Sequence, residues 1–317
     1  MNTLHLVDPQ LRPLLEVFPT MSLSDESLAD ARAGELPMPP VPDCGVALDI
    51  VSVPGPAGAP AIGLHLYRPR DATGALPCIF HIHGGGYVLG AAKDYEFLAR
   101  PLAAELGCAI VSVDYRLAPE TRFPGAIEDC HAGLGWTIAN AATLGIDPAR
   151  VGVMGESAGG GLAAALALMA RDRGEHALAF QHLIYPMIDD RTCVTPDPHP
   201  VAGEFIWPAA NNCFGWKALL GQEPGSDGVS PYAAAARATD LAGLPPTFIA
   251  TGALDIFVDE DIDYARRLMR AGVPTELHVY SGAFHGFDMM PGPAVADAAR
   301  RDSRAALARF LARSPTD

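Results

Sequence analysis

Residues 150–159 read Arg150-Val151-Gly152-Val153-Met154-Gly155-Glu156-Ser157-Ala158-Gly159. The first six are a short buried-strand pattern. The stretch from Gly160 to Ala170 is an Ala/Leu-rich helical run, expected to end near Arg171 and Gly174. Ser157 therefore falls on a strand-to-helix turn of the G-x-S-x-G type. Such a turn is tight, and Gly155 and Gly159 leave room where a side chain would clash. It lifts the serine hydroxyl clear of the sheet and points a helix N-terminus, with its free N–H groups, at the same place.

A second stretch lies about seventy residues upstream. Pro77-Cys78-Ile79-Phe80-His81-Ile82 is another buried-strand pattern, and it leads into His83-Gly84-Gly85-Gly86. Three consecutive glycines make a poor strand and a poor helix. They do let backbone N–H groups come close to a bound group. A tetrahedral acyl-transfer intermediate needs donors fixed where its negative charge develops. Gly85 and Gly86, with Gly84 as a further candidate, supply two such donors and the Ala158 N–H another. Both motifs in this order, each directly after an apolar run, point to serine-based acyl transfer.

A serine hydroxyl needs a base, and the base needs a carboxylate to orient it. In a sheet of this kind the chain order is serine, acid, histidine. Residues 247–252 and 275–280 read as consecutive strands. Asp255 and His285 lie just beyond their ends, at the carboxyl edge where catalytic groups gather. Asp259, Glu260 and Asp261 also follow the first of these strands. They are expected to open the helix that runs to about Ala271, where acids favour the positive end of the dipole. His83 is expected to anchor its loop by hydrogen bonds, and His278 to pack within a strand or face solvent. His131, His176, His182 and His199 have no motif around them.

These matches identify a resemblance. The chain is similar to the bacterial hormone-sensitive lipase family (family IV) of esterases, within the α/β-hydrolase superfamily. The similarity runs beyond about residue 45 through His83-Gly84-Gly85-Gly86-Tyr87, then Asp114-Tyr115-Arg116-Leu117-Ala118-Pro119-Glu120 with Phe123-Pro124. It continues through Gly155-Glu156-Ser157-Ala158-Gly159-Gly160, Tyr185-Pro186, Ser230-Pro231-Tyr232 and Leu244-Pro245-Pro246. It closes with Asp255, Asp259-Glu260, Ala271-Gly272-Val273 and His285-Gly286-Phe287. The resemblance implies an α/β-hydrolase fold, a mostly parallel central sheet flanked by helices, with a helical cap. It implies Ser157, Asp255 and His285 as the catalytic triad, and the glycine loop with Ala158 as the oxyanion hole. One departure is visible. Many members carry Asp or Thr before the serine, where this chain has Glu156.

Composition agrees with such an enzyme. The chain has 317 residues and is 49% hydrophobic, enough for one large α/β domain. Its formal net charge of −15 argues against nucleic acid or an anionic membrane as partner. There is no basic n-region followed by an apolar h-region and no apolar run of spanning length. The six cysteines lack CxxC or zinc-type spacing, and a reduced, cytoplasmic protein is the simplest expectation. The chemistry requires no metal or organic cofactor, and the partner is a small-molecule ester. Members of the family often form homodimers.

Residues 1–45 differ from the rest. Asp8 to Val17 reads as one helix and Ser24 to Ala33 as another, capped by Ser24 or Asp25, before a stiff proline-rich linker at 37–42. Residues 46–186 and 229–317 carry the β/α alternation. Residues 187–228 break it, with a helix expected near 208–220. In the family the N-terminal segment and this insertion form a cap over the site. Tyr87, Val88, Leu89, Phe205, Trp207, Phe214 and Phe287 are apolar candidates for the pocket, and each also fits core packing. The expected substrates are short- to medium-chain esters. An amidase or peptidase would use the same triad. A non-catalytic receptor on this fold, as in plant gibberellin receptors, lacks the histidine that is present here as His285.

A histidine base must be neutral to accept the serine proton, and an ordinary imidazole titrates near ~6.5. The sequence therefore predicts that kcat/KM rises through one ionisation between roughly pH 6 and pH 8 and stays high into mild alkali. A profile peaking below about pH 5 would mean that a carboxylate is the operating base.

Overall fold

The computed structural model describes residues 2–34, 40–41 and 43–312. Eight strands form one sheet in the order β1-β2-β4-β3-β5-β6-β7-β8. They are β1 (Val46–Val53), β2 (Ile62–Pro69), β3 (Leu76–Ile82), β4 (Ala109–Asp114), β5 (Ile146–Glu156), β6 (Gln181–Ile184), β7 (Thr247–Gly252) and β8 (Thr275–Tyr280). β2 is antiparallel to both its neighbours, and all pairings from β4 to β8 are parallel. The near-continuous apolar runs read from the sequence are what a sheet covered on both faces demands.

The helices are α1 (Leu14–Val17), α2 (Leu28–Ala33), α3 (Glu96–Leu106), α4 (Gly125–Ala139), α5 (Ala141–Leu144), α6 (Ala158–Arg173), α7 (Ala209–Leu220), α8 (Val258–Arg270) and α9 (Ala294–Ala312). Alternate strand residues feed two cores. Phe80, Ile82 and Ile249 pack with α4, α6 and α8, while Ile79, Phe248 and Ala250 pack with α3 and α9. α6 is buried from Ala158 to Ala170, which explains why its sequence is apolar or small all round. Its glycine C-cap, Gly174, takes the left-handed conformation at φ 66°.

Two expectations for the helices change. The helix read over Asp8–Val17 is reduced to the single turn α1, preceded by a 3-10 turn at Leu4–Leu6. Pro9 and Pro13 remove two helical donors. Asp8 instead folds onto the chain, its carboxylate accepting the Gln10 N–H while its own N–H donates to Gly282 O. The sequence after Pro124 also reads as one helix to about Ala142, but it is broken into two. Asn140 ends α4 by donating its side-chain amide to Trp136 O, and α5 follows as a separate turn. For α2, Ser24 does accept the Ser27 N–H through Oγ, although regular helix starts at Leu28. Of the proline-rich linker, 37–39 and 42 lie outside the described residues, and Pro40 and Val41 are exposed.

Residues 187–228 contain α7 and little other regular structure, and the N-terminal segment is hydrogen-bonded to them. Glu204 Oε2 accepts from the Thr3 N–H at 2.7 Å and hydroxyl at 2.6 Å. The Leu23 N–H donates to Asn211 Oδ1 at 3.0 Å, and the Ile206 N–H donates to Thr20 Oγ1 at 2.9 Å. Among the described residues no helix is long and apolar enough to cross a membrane.

His182 on β6 is fully buried and stacked on Phe248, and burial pushes its imidazole down to about 3. An unfolded histidine takes up its proton near ~6.5. Between these values the unfolded chain binds a proton that the folded chain refuses, so stability is lost as pH falls below about 6.5. The expected outcome is that His182→Gln loses less stability than wild type between about pH 6.5 and 4. The difference is at most about 1.4 kcal/mol per pH unit, read by denaturant melts at each pH. Parallel losses in the two proteins would show that His182 does not contribute.

Candidate active site

Ser157 stands between β5 and α6 with φ 54° and ψ −122°, a conformation that non-glycine residues rarely adopt. Neighbouring backbone over-determines it. Its N–H donates to Ile184 O at 2.9 Å, and its carbonyl accepts the Gly161 and Met187 N–H groups, each at 2.9 Å. The flanking glycines are required sterically. A Cβ at Gly155 would lie 2.3 Å from Gly159 O, and one at Gly159 would lie 2.0 Å from Ile82 O. Ala158 is the first residue of α6, so its N–H has no helical acceptor.

The glycine loop follows β3. Gly85, Gly86 and Tyr87 all have positive φ, at 118°, 59° and 67°. Gly85 O accepts the Val88 and Leu89 N–H groups, which closes the turn. The Gly85 and Gly86 N–H groups donate to no acceptor among the described residues. His83 anchors the loop, as its place in the sequence suggests. Its Nδ1 donates to Gly84 O at 2.8 Å, its carbonyl accepts the Tyr115 hydroxyl at 3.0 Å, and its ring stacks on Tyr115. Burial lowers its pKa to about 4, so it is neutral near pH 7. Gly86 is covered from the insertion side. A Cβ there would lie 2.1 Å from Trp207 Cη2, and one at Gly215 would lie 2.6 Å from Gly86 O.

The loops after β7 and β8 are tied together before they reach the site. Ala253 and Leu254 donate their N–H groups to Tyr280 O and Ala283 O. This brings Asp255 against His285. His285 Nδ1 lies 2.8 Å from Asp255 Oδ2, and its Nε2 lies 3.0 Å from Ser157 Oγ. Asp255 is fully buried, and its other oxygen accepts the Phe257 N–H at 3.1 Å. Ser157 and His285 are each only 7% exposed, so the hydrogen-bonded line from carboxylate to hydroxyl runs in a medium largely without water.

The other acids separate cleanly. Asp259 is exposed at the start of α8. Glu260 and Asp261 are not solvent-facing dipole partners, as their position at a helix N-terminus suggests, but buried groups. Glu260 accepts the Ile188 N–H at 2.7 Å, the Asp189 N–H at 3.1 Å and the Thr192 hydroxyl, pinning the start of the insertion. Burial pushes the carboxyls of both Glu260 and Asp261 well up. His278 is half-buried between Glu276 and Asp302. His131 and His176 sit with Glu175 near the far end of α6, their ligand-type atoms within 4.8 Å of one another. The Arg173 guanidinium bears on His131 Nδ1 at 3.3 Å, which opposes a cation there.

The seven apolar candidates divide. Tyr87 donates its hydroxyl to Met187 O and packs on Trp216, Val88 is fully buried, and Phe287 packs on Tyr280, so these three serve the core. Trp207 lies on the glycine loop, and Leu89, Phe205 and Phe214 remain partly exposed. Two rings that the sequence reading left out flank the imidazole. Tyr185 and Phe257 meet His285 edge-on at 4.8 and 5.2 Å between ring centroids. Phe257, two residues beyond Asp255, carries no motif of its own. Tyr185 belongs to the Tyr185-Pro186 pair at the end of a strand, which was its only sequence signal.

A family model described as alpha/beta hydrolase fold matches residues 79–289. Carboxylesterase NlhH of Mycobacterium tuberculosis is 36% identical over 312 residues, covering 96% of each chain. Esterase LipI of the same organism is 34% identical, covering 93% of this chain and 92% of its own. Among solved structures, a bacterial heroin esterase superposes with a TM-score of 0.91 at 40% identity, over 99% of this chain and 100% of that one. An esterase from the hyperthermophilic archaeon Pyrobaculum calidifontis gives 0.83 at 32% identity, over 96% and 98%. With its eight-stranded sheet and these relatives over nearly its whole length, the chain belongs to the alpha/beta hydrolase fold family, among the carboxylic ester hydrolases of the hormone-sensitive lipase type.

Proposed function

We propose that this carboxylic ester hydrolase works by two-step acyl transfer through Ser157, with His285 as the base and Asp255 as its orienting carboxylate. The observation that carries the reading is the unbroken line Asp255 Oδ2, His285 Nδ1, His285 Nε2, Ser157 Oγ, at 2.8 and 3.0 Å. As Ser157 Oγ attacks the ester carbonyl, its proton passes to His285 Nε2. Asp255 holds the imidazole by Nδ1 and stabilises its charged form. The N–H groups of Gly85, Gly86 and Ala158 are directed to the oxyanion, with Gly84 setting the loop's approach. Collapse expels the alcohol, protonated by His285. The imidazole then takes a proton from water, which attacks the acyl-serine and releases the acid.

The N-terminal segment 1–45 and the insertion 187–228 act in this reading as a cap that excludes water and bounds the acyl pocket. Their mutual hydrogen bonds and the low exposure of Ser157 and His285 support it. Trp207, Leu89, Phe205 and Phe214 are the proposed walls. The six cysteines are all free thiols, which fits work in the reducing cytoplasm.

Two experiments test the reading. Ser157→Ala and His285→Ala should each lower kcat by roughly 10³-fold or more, because triad groups act as a unit. Asp255→Asn should be severely impaired and Asp259→Asn nearly normal. Near-wild-type turnover in a folded Ser157→Ala protein, or the opposite order for the two acids, would overturn the assignment. A chromogenic ester series should favour acyl chains of about two to eight carbons, since a cap built from two segments leaves a pocket of limited depth. Faster hydrolysis of emulsified long-chain triglyceride than of a soluble butyrate ester would refute that substrate class.

A further inference from the structure

Glu156 is where the chain departs from the resemblance, and its side chain has one specific partner. Its Oε2 lies 2.9 Å from His81 Nε2, while His81 Nδ1 lies 2.8 Å from Ser112 Oγ on β4. The His81 ring is fully buried and stacked on Tyr95, with centroids 3.5 Å apart and planes 12° from parallel. Three elements thus fix the ring: β3 carries it, β4 holds one nitrogen, and the turn Ala92–Tyr95 covers a face. The imidazole presents Nε2 in one direction only, and Glu156 is the group it meets. The carboxylate is the acceptor of that hydrogen bond.

The position of the two residues gives the contact its meaning. Glu156 immediately precedes Ser157, and His81 lies two residues before His83 and the glycine loop. Glu156 also touches that loop through its main chain, since a Cβ on Gly84 would lie 2.9 Å from Glu156 O. One residue therefore meets both the strand that delivers the glycine loop and the loop itself. We propose that Glu156 and His81 are a positioning pair. They hold the serine turn at a fixed height relative to the glycine-loop N–H groups, so that Ser157 Oγ and the oxyanion donors address the same carbonyl. The pair touches no reacting atom and acts through Ser157. It is specified by reach and direction rather than by charge, because its work is to fix a separation between two loops. A misplacement of about 1 Å at a reacting centre costs on the order of 10²-fold in rate.

The inference rests on the reading of Ser157 as nucleophile, and loss of turnover in Ser157→Ala is its control. The test compares Glu156→Gln with Glu156→Asp on a soluble short-chain ester. Glutamine keeps the length and an oxygen acceptor for the His81 N–H but loses the charge. Aspartate keeps the charge and falls one methylene short. Positioning predicts that Glu156→Gln retains kcat within about threefold, whereas Glu156→Asp falls about tenfold with KM changed less than about twofold. His81→Phe should cost as much as Glu156→Asp, and the double variant should be no worse than either single one. The opposite order, aspartate active and glutamine impaired, would overturn the proposal in favour of an electrostatic role. Unchanged kcat in Glu156→Asp, or a loss seen only in KM or in melting temperature, would also overturn it. Should His81→Phe fail to fold, Ser112→Ala frees the ring from its other side and must lower kcat in the same sense. An active Ser157→Ala protein would instead remove the functional reading on which the pair depends.

Discussion

The constraint on which the site depends is the absence of space between the serine turn and the end of β3. β3 and β5 pair in parallel with Ile82 opposite Gly155, so their two loops leave the sheet side by side. The turn can dip against β3 only because Gly159 has no side chain, since a Cβ there would lie 2.0 Å from Ile82 O and 2.5 Å from His83 O. Gly155 makes the same allowance within the turn. The sheet order reverses direction here, with β4 on one side of β3 and β5 on the other. A crevice opens at such a reversal, and the first strand pair to the left and right of it supplies both the serine and the glycine loop.

The opposite wall is made by hydrogen bonds rather than by close packing of glycines. The loop after β7 donates its N–H groups to carbonyls at the end of β8 and beyond, and Asp255 and His285 are carried on these two loops. The strained backbone of Ser157 costs about 1–3 kcal/mol in isolation. Three backbone bonds from β6, α6 and residue Met187 offset it. Tyr185 follows β6 directly, its ring meeting His285 in a T-shaped contact and its hydroxyl donating to Asp288. The imidazole is thus confined by Asp255 along its plane and by Tyr185 and Phe257 across it.

Much of this was legible in the chain. The strands at 247–252 and 275–280 were marked by apolar runs between turn residues, and they set Asp255 and His285 at one edge. The serine turn was legible because only glycine fits its two flanks. What was hidden has a common cause. Pro9 and Pro13 weaken a helical pattern by an amount that local reading underestimates once Asp8 finds Gly282 as a partner. Glu260 reads as a helix-dipole acid, yet its acceptors are spent on Ile188, Asp189 and Thr192, which are remote in sequence. Glu156 and His81 are seventy-five residues apart, and nothing local announces that they meet. Side-chain partners across a sheet are set by register, which a single sequence does not contain.

The insertion links these features to substrate range. Gly86 is held between Trp207 on one side and Gly215 of α7 on the other, both from residues 187–228. Glu260 pins the first residues of that segment to α8, and Arg237 holds the buried Asp190 in a part-buried ion pair. The segment proposed to bound the acyl pocket therefore also lies against the glycine loop at Gly86. In the proposed reading, one indole both walls the pocket and lies on the glycine loop. Under the proposed pocket reading, trimming Trp207 opens a wall and, in the same step, removes the ring that covers Gly86.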